Sequence, residues 1–192
     1  AGIRQAEISF VCCTQPGEKW MAYIGMDTVA AVIPVKHLNT DIWLPKQIID
    51  NYDLLMSLIL EAIQKNASDE DNSNGHSIIS YAPARKIQEE FISFASANLK
   101  LLRSVLLTSK YPHEREVAAS IIAYYPVKSE IINDLLLAVN DPDPGVRNNA
   151  IRAVGIIADY SQKKPELQIQ ISATPFITLM NSISWTDRNK SS

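Results

Sequence analysis

The chain has 192 residues, of which 46% are hydrophobic and 20% charged, and its formal net charge is −3. This composition is ordinary for a globular protein and excludes collagen-like, disulfide-rich and wholly disordered chains. The weak negative charge argues against a nucleic-acid partner, and the absence of an apolar run of ~20 residues predicts no membrane span.

The first region, 1–46, is predicted to form a β-hairpin followed by a loop. Strand-forming residues dominate both sides of Gln15-Pro16-Gly17-Glu18, a turn sequence in which Pro presets φ and Gly supplies positive φ. The hairpin spans 7–26 and the loop 34–46. Because a lone two-stranded hairpin is marginal in water, we expect it to pack on helices.

The cysteines and the first residues bear on the cellular compartment. Cys12 and Cys13 are adjacent, and we interpret them as two thiols rather than a strained vicinal disulfide. The chain starts at Ala1-Gly2 without an apolar leader. Either this start is artificial or a signal peptide was removed, which would imply a secreted or periplasmic protein.

The second region, 47–110, is predicted to be helical with an acidic loop. A helix over about 50–65, capped by Asp50 or Asn51, is indicated by apolar residues at helical spacing: Tyr52, Leu55, Met56, Ile59, Leu60 and Ile63. The loop 66–77 is polar and acidic, so we expect it to be exposed, mobile and the first site of proteolysis. The alternative for this loop is a contact with a cation or a partner.

A long helix is predicted next, from Pro83 to 109, either continuous or kinked near Asn98. The third region, 111–192, then contains predicted helices separated by breaks that contain proline; they span 114–124, 129–140, 144–160 and 175–182. Short connections between helices of this length predict antiparallel neighbours.

The third region also contains an internal repeat. Arg115 aligns with Arg147 at an offset of 32 residues, and Arg147 aligns with Arg188 at an offset of 41. The clearest unit runs from 131 to 160 and resembles the HEAT repeat: an apolar helix, an acidic turn, and a second helix that opens with Val-Arg-x-x-Ala. The residues that carry the resemblance are Asp141, Asp143, Val146, Arg147, Ala150, Ala153, Val154 and Gly155.

The resemblance covers about 99–192, and it implies an α-solenoid built from helical hairpins. Asp141 or Asp143 would then cap the second helix, and Arg147 would lie against an acidic turn of a neighbouring repeat. Small residues, Ala150, Ala153 and Gly155, would let the helices approach closely. The last unit is incomplete, so we expect the natural chain to extend further or to have been cut.

The same resemblance implies a binding face, because the second helices of such arrays line the concave surface. With Ala150 and Val154 facing the core, Asn148, Asn149 and Arg152 would point outward, and Lys163 would follow at the end of the helix. This polar, mildly basic face is the predicted binding surface. The alternative is an ordinary solvated helix face.

No residue pattern points to covalent chemistry. His37, His76 and His113 lie in three separate predicted loops, and no metal-binding, phosphate-binding or nucleophile motif occurs. We therefore predict a non-enzymatic protein without cofactors or metal, acting as a scaffold or protein–protein interaction module. The alternatives are an accessory subunit or enzyme-associated helical-repeat protein, of lyase-like or DNA-repair-like type, and a purely structural module.

The predicted burial of Arg147 can be tested by Arg147→Ala. If its guanidinium is buried and paired, the substitution should lower the free energy of unfolding by about 1–3 kcal/mol. Thermal or denaturant unfolding measures the change, and an unchanged curve would contradict the repeat contact.

Overall fold

Helices form most of the part of the chain that the computed structural model describes, which is residues 5–11, 21–27, 38–180, 182 and 185–191. The chain divides into two units: Ala1–Val35 with Ala173–Ser192, and Lys36–Ser172. The predicted mostly α class with a small antiparallel sheet is confirmed.

The first unit contains the predicted β-hairpin strands. β1 (Gln5–Val11) pairs antiparallel with β2 (Met21–Asp27), and Ile8 lies opposite Ile24. The two predicted strands are therefore confirmed. The predicted turn, together with Cys12 and Cys13, lies outside the described residues.

The second unit contains the long helices. They are α1 (Lys46–Gln64), α2 (Ala82–Thr108), α3 (Pro112–Ile122), α4 (Lys128–Ala138) and α5 (Pro144–Lys163), followed by a 3₁₀ turn (Pro165–Leu167). Pro83, Pro112 and Pro144 each lie in a first helical turn, where the missing N–H has no partner to lose. Two short strands, β3 (Glu70–Asp71) and β4 (Ile78–Ile79), form a small hairpin between α1 and α2.

The start of α1 differs from the prediction. The helix begins at Lys46, directly after Pro45, so the predicted caps Asp50 and Asn51 lie inside it. Asp50 instead accepts from the Lys46 ammonium one turn earlier, at 2.6 Å. The sequence prediction was wrong because aspartate is a common capping residue, whereas the side chain of Asp50 forms an i,i+4 ion pair inside the helix.

The predicted break in the second long helix is present at Asn98. Its backbone leaves helical geometry (φ −126°, ψ 28°) while the helix continues on both sides. Asn98 does not act as an N-cap with its side chain; Nδ2 donates to the Phe94 carbonyl at 3.0 Å. The side chain thus bonds the turn that precedes the kink.

The core of the second unit lies between α2, α3, α4 and α5. Its largest fully buried apolar side chains include Phe91, Leu102, Leu106, Ile121, Ile122, Ile131, Leu135 and Ile157. Full burial of each such side chain stabilises the fold by roughly 1.5–3 kcal/mol relative to exposure.

A charged pair is buried inside this core. Arg115 on α3 donates through Nε to Asp141 Oδ2 at 2.9 Å and through Nη2 to Asp141 Oδ1 at 2.8 Å. Its Nη1 donates to the Ser109 carbonyl at 3.0 Å, and Asp141 Oδ1 also accepts from the Asp143 N–H at 2.9 Å. The two side chains are 2% and 0% exposed. This bidentate pair ties the turn before α3 to the turn between α4 and α5.

Arg147 occupies the corresponding place in α5, three residues after the first-turn proline. It is 8% exposed, and its Nη1 donates to the carbonyls of Asp141 and Pro142, at 2.9 Å each. The predicted burial of Arg147 is therefore confirmed. Arg115, rather than Arg147, bonds a carboxylate of the acidic turn, that of Asp141; the predicted contact of Arg147 with a neighbouring acidic turn stays a prediction.

Residues 40–44 run beside the turn that joins α2 and α3. Thr40 N–H donates to the Thr108 carbonyl and Lys110 N–H donates to the Thr40 carbonyl, both at 3.1 Å. Ser109 Oγ donates to the Ile42 carbonyl at 2.7 Å. This part of the predicted loop 34–46 is therefore held to the helical unit by backbone pairing.

α2 meets the length and composition criterion for a helix that could cross a membrane. It has 27 residues and an 18-residue window of mean hydropathy 1.2, of which 28% is buried in the fold. The core helix of a water-soluble protein passes the same criterion. The predicted absence of a membrane span stays a prediction.

Two short helices follow at the C-terminal end of the first unit. α6 (Thr174–Leu179) ends before the predicted limit of 182, and α7 (Trp185–Ser191) begins where the last repeat unit was predicted to open. Ser182 Oγ donates to Asp187 Oδ2 at 2.7 Å. This bond joins the segment before α7 to its first turns.

Removing one partner of the buried pair should be costly. Arg115→Ala leaves the Asp141 carboxylate buried without its charge partner, so we expect a loss of about 3–5 kcal/mol in unfolding free energy. The double variant Arg115→Met/Asp141→Leu should lose less, since no lone charge remains. Guanidinium-induced unfolding measures both.

Arg103→Ala is the matched control for this experiment. Arg103 pairs with Asp134 at 2.7 Å but is 35% exposed, so its loss should be about 1 kcal/mol or less. Equal losses for Arg103→Ala and Arg115→Ala would contradict a special role for the buried pair.

Candidate functional site

The acidic segment between α1 and α2 is an ordered hairpin. Ser80 N–H donates to the Asp69 carbonyl at 2.7 Å, and Gly75 N–H donates to the Asn72 carbonyl at 3.0 Å. The predicted exposure of 66–77 is confirmed for six of its twelve residues, whereas Gly75 and His76 are buried; the predicted mobility stays a prediction. Just beyond that window, Ile78 and Ile79 are 8% and 3% exposed and anchor the segment in the core.

Gln88 on α2 satisfies the backbone of this hairpin. Its Oε1 accepts from the Ile79 N–H at 2.8 Å, and its Nε2 donates to the Ser77 carbonyl at 3.1 Å. Nε2 also donates to the Tyr124 hydroxyl at 2.9 Å. One buried amide therefore joins the hairpin, α2 and the end of α3.

Gly75 lets the hairpin approach α4 and α5 closely. Its φ is +70°, and a Cβ at this position would lie 2.9 Å from Lys128 Cε and from Tyr160 Cδ1. Positive φ and lack of space both favour glycine here. His76, the next residue, is 7% exposed and its ring centroid lies 5.2 Å from that of Tyr124.

His76 contacts a buried lysine. Lys128 Nζ donates to the carbonyls of Ala123 and Tyr125 at 2.7 and 2.8 Å, and it lies 3.0 Å from His76 Nδ1. The lysine thus bonds carbonyls that follow the C-terminus of α3. When Lys128 is protonated it has only donors, so Nδ1 of His76 then acts as the acceptor and the imidazole is neutral.

Burial governs the ionisation of these groups. It lowers the pKa of Lys128 to about 7 and, together with the lysine charge, lowers the pKa of His76 to about 4. Burial also raises the pKa of Tyr124 to about 12. Asp71 acts on His76 in the opposite direction and raises its pKa.

A small cleft with a mixed polar and apolar lining opens beside His76. It has a volume of about 60 Å³ and lies between the hairpin, α3 and α5. We call it the hairpin cleft; its polar lining is His76, Ser77, Ser120, Tyr124, Asn149 and Arg152. The sequence prediction missed most of these residues, because their positions show no shared spacing and only the fold brings them together.

The residues predicted to form a binding face on α5 have different environments. Asn149 is half-buried, and its Nδ2 donates to the Tyr52 hydroxyl at 3.0 Å and to the Glu116 carbonyl at 3.1 Å. The prediction that it points outward is wrong, because its amide joins α1, α3 and α5. Asn148 is half-buried as well, whereas Arg152 and Lys163 are exposed.

Both exposed cations of this face have carboxylate partners. Arg152 Nη2 donates to Glu70 on β3, and Lys163 Nζ donates to Asp159 at 2.6 Å. The hairpin therefore reaches over the predicted binding surface at Arg152. Farther along α5, the pair of Lys163 with Asp159 is an ordinary surface ion pair.

Several residues of the repeat motif have environments that fit the prediction. Asp143 caps α5, and its Oδ1 accepts from the N–H groups of Gly145 and Val146 at 2.9 and 3.1 Å. Fully or nearly fully buried residues on the inner face of α5 are Val146, Ala150, Ala153 and Val154.

Gly155 does not fit the prediction. It is exposed, and a Cβ added there would meet no atom within 4 Å. Close helix approach at Gly155 was therefore a wrong prediction, because this residue lies on the outer side of α5.

An apolar surface remains uncovered on α1. Tyr52 and Leu55 are buried as predicted, but Met56, Leu60 and Ile63 are 37%, 63% and 54% exposed. The apolar stripe predicted for α1 spans about 140° of the helix circumference at about 100° per residue. The neighbouring elements cover only part of it.

An open groove lies at the start of α1. This groove has a volume of about 600 Å³ and is lined in part by Trp43, Leu44, Pro45, Ile49 and Leu101. Trp43 is 58% exposed, and its ring centroid lies 6.3 Å from that of Tyr111. We call the groove together with Met56, Leu60 and Ile63 the α1 surface.

Comparisons with known proteins do not identify a relative. No protein-family model, curated protein or solved structure matches this chain. Among the described residues, no group of three or more His, Cys, Asp or Glu side chains is placed to hold a metal ion. The predicted absence of metal and cofactor stays a prediction.

The buried histidine should make stability depend on pH. The pKa of His76 is about 4 in the folded chain and 6.5 in its unperturbed form, so the unfolded state binds more protons between these values. The stability that the neutral His76 contributes is therefore fully present above about pH 6.5, and it is lost as the pH drops towards 4. Between pH 7.0 and 4.5 we expect this histidine to contribute about 2 kcal/mol of that loss, less than the full shift implies because its titration in the folded chain is incomplete at pH 4.5.

Unfolding curves at pH 7.0 and 4.5 measure this loss. His76→Gln keeps an acceptor for Lys128 and should show a smaller loss than the wild type. His113→Gln removes an exposed histidine and should keep the wild-type loss. Equal pH dependence in all three proteins would contradict the assignment.

Proposed function

We propose that this chain is a non-catalytic helical-repeat module of HEAT-like type that binds an amphipathic helix of a partner protein on the α1 surface. The observation that carries the proposal is the exposure of large apolar side chains along α1. Contiguous exposed apolar surface marks interaction sites in folded proteins.

The repeat character is supported by two corresponding helices. α3 and α5 each have a proline in the first turn, and an arginine follows three residues later, Arg115 and Arg147. Both guanidinium groups bond the turn between α4 and α5, Arg115 through the carboxylate and Arg147 through two carbonyls. Recurrent contacts of this kind are expected where helical hairpins stack on their neighbours.

The spacing on α1 favours a helical partner. Ile49, Met56, Leu60 and Ile63 are separated by seven, four and three residues, so they form one stripe along the helix. A second helix laid alongside can place its own apolar residues against such a stripe. Trp43 at the end of the groove supplies a large aromatic contact of the kind that dominates binding energy.

The face on α5 that was predicted to bind is less favoured. Asn149 holds three helices together, so a substitution there would disturb the fold, and Arg152 and Lys163 already have carboxylate partners. The alternatives of an accessory subunit or of a purely structural module are distinguished from the proposal by the experiment that follows.

The proposal is tested by capture from a lysate of the native source with three tagged proteins. Leu60→Ser/Ile63→Ser makes the stripe polar, whereas Leu54→Ser changes an equally apolar residue, 51% exposed, on the other side of α1. We expect a partner that is retained by the wild type and by Leu54→Ser and is lost from the double variant. Because the changed residues are exposed, melting temperatures should stay close to the wild-type value.

Three outcomes would contradict the proposal. A partner that binds all three proteins equally places the interface elsewhere. Concentration-dependent dimerisation of the wild type that the double variant abolishes, measured by analytical ultracentrifugation, would make a second copy the occupant. A protein that binds nothing and stays monomeric would favour a purely structural module.

A further inference from the structure

We propose that the hairpin cleft is a binding site for a carboxylate group, which enters beside Arg152 and competes with Glu70 for its guanidinium group. This inference is independent of the α1 surface and of the proposed protein partner. It depends on the donors, the charge and the size of the cleft.

The cleft offers more hydrogen-bond donors than the described residues use. Arg152 has five N–H donors, of which Nη2 bonds Glu70. Ser77 and Ser120 line the cleft with half-buried hydroxyl groups, and neither hydroxyl bonds another group in the described part of the chain. The Tyr124 hydroxyl accepts from Gln88, which leaves its own proton for a ligand. Such a donor set suits an oxygen ligand with only acceptors.

The charge of the surroundings favours an anion. Lys128 lies behind His76, and its Nζ is bonded to two carbonyls and to the imidazole rather than to a carboxylate. Arg152 at the opening is positive throughout the usual pH range, whereas Lys128, with a pKa of about 7, adds its charge mainly below neutral pH. Glu70 is the carboxylate that bonds Arg152, and it is 35% exposed on a two-residue strand, so it can be displaced.

The contact already present and the size of the cleft favour a carboxylate. A guanidinium fork can hold the two oxygens of a carboxylate, and Arg152 already bonds the carboxylate of Glu70 through Nη2. The volume of about 60 Å³ is roughly that of two water molecules. It holds a carboxylate group but not a ring, so the rest of a larger ligand would lie outside, over the hairpin and α5.

The test is a titration of the isotopically labelled protein with sodium acetate at constant ionic strength, followed by NMR. Acetamide, which has the same shape without the charge, is the matched ligand control, and sodium phosphate is the competing anion. We expect acetate to shift the signals of residues lining the cleft, with acetamide and phosphate much weaker.

Four variants make the test specific. Glu70→Gln removes the internal competitor and should tighten acetate binding roughly 10-fold, whereas Arg152→Gln should weaken it roughly 10-fold or more. Asp159→Asn and Lys163→Gln change the exposed ion pair farther along α5 and should leave the affinity unchanged.

Several results would overturn the proposal. They are the absence of saturable acetate shifts in both the wild type and Glu70→Gln, equal binding of acetamide, tighter binding of phosphate than of acetate, and unchanged affinity in Arg152→Gln. Arg152 and Glu70 are partly exposed, so Arg152→Gln and Glu70→Gln should both fold. A change in acetate affinity can then be assigned to the site rather than to unfolding.

Discussion

The second unit depends on the bidentate pair between Arg115 and Asp141. Two fully buried charges would be strongly unfavourable if any lone pair or N–H were left without a partner. Here the guanidinium also bonds the Ser109 carbonyl, and the carboxylate also accepts from Asp143. All these hydrogen bonds can form together only when the turn before α3 and the turn after α4 hold one particular relative position. The pair therefore sets the placement of α5 against α3, and with it the positions of Asn149 and Arg152.

The hairpin depends on that placement in turn. Its backbone is bonded by Gln88 of α2, and Gly75 fits between Lys128 and Tyr160, which belong to α4 and α5. Polar groups buried at this junction have partners in almost every case; among described side chains, Asn72 Oδ1 is buried without one. A segment with an acidic, loop-like composition is thus ordered by the helices around it rather than by its own propensity.

The sequence predicted best what depends on local rules. Periodicity and first-turn prolines predicted the long helices, and the resemblance to a helical repeat implied a cap from Asp141 or Asp143 and a core-facing Ala150 and Val154. Contacts between distant segments could not be predicted in this way. His76 and Lys128 meet across 52 residues of chain, and no local pattern marks either one. Conversely, the apolar spacing of Met56, Leu60 and Ile63 is the same whether or not a neighbouring element covers them. Their exposure could therefore be recognised only in the folded structure.

The break at Asn98 has a consequence for motion. The part of α2 before the break contains Gln88, whose side chain bonds the backbone of the hairpin. The part after the break contains Arg103, which bonds Asp134 on α4. The Phe94 carbonyl at the break is bonded by a side-chain amide, so the backbone ladder does not couple the two halves as strongly as in a continuous helix. Amide protons in the halves should therefore exchange with deuterium as two cooperative groups, one opening with the hairpin and the other with the paired helices.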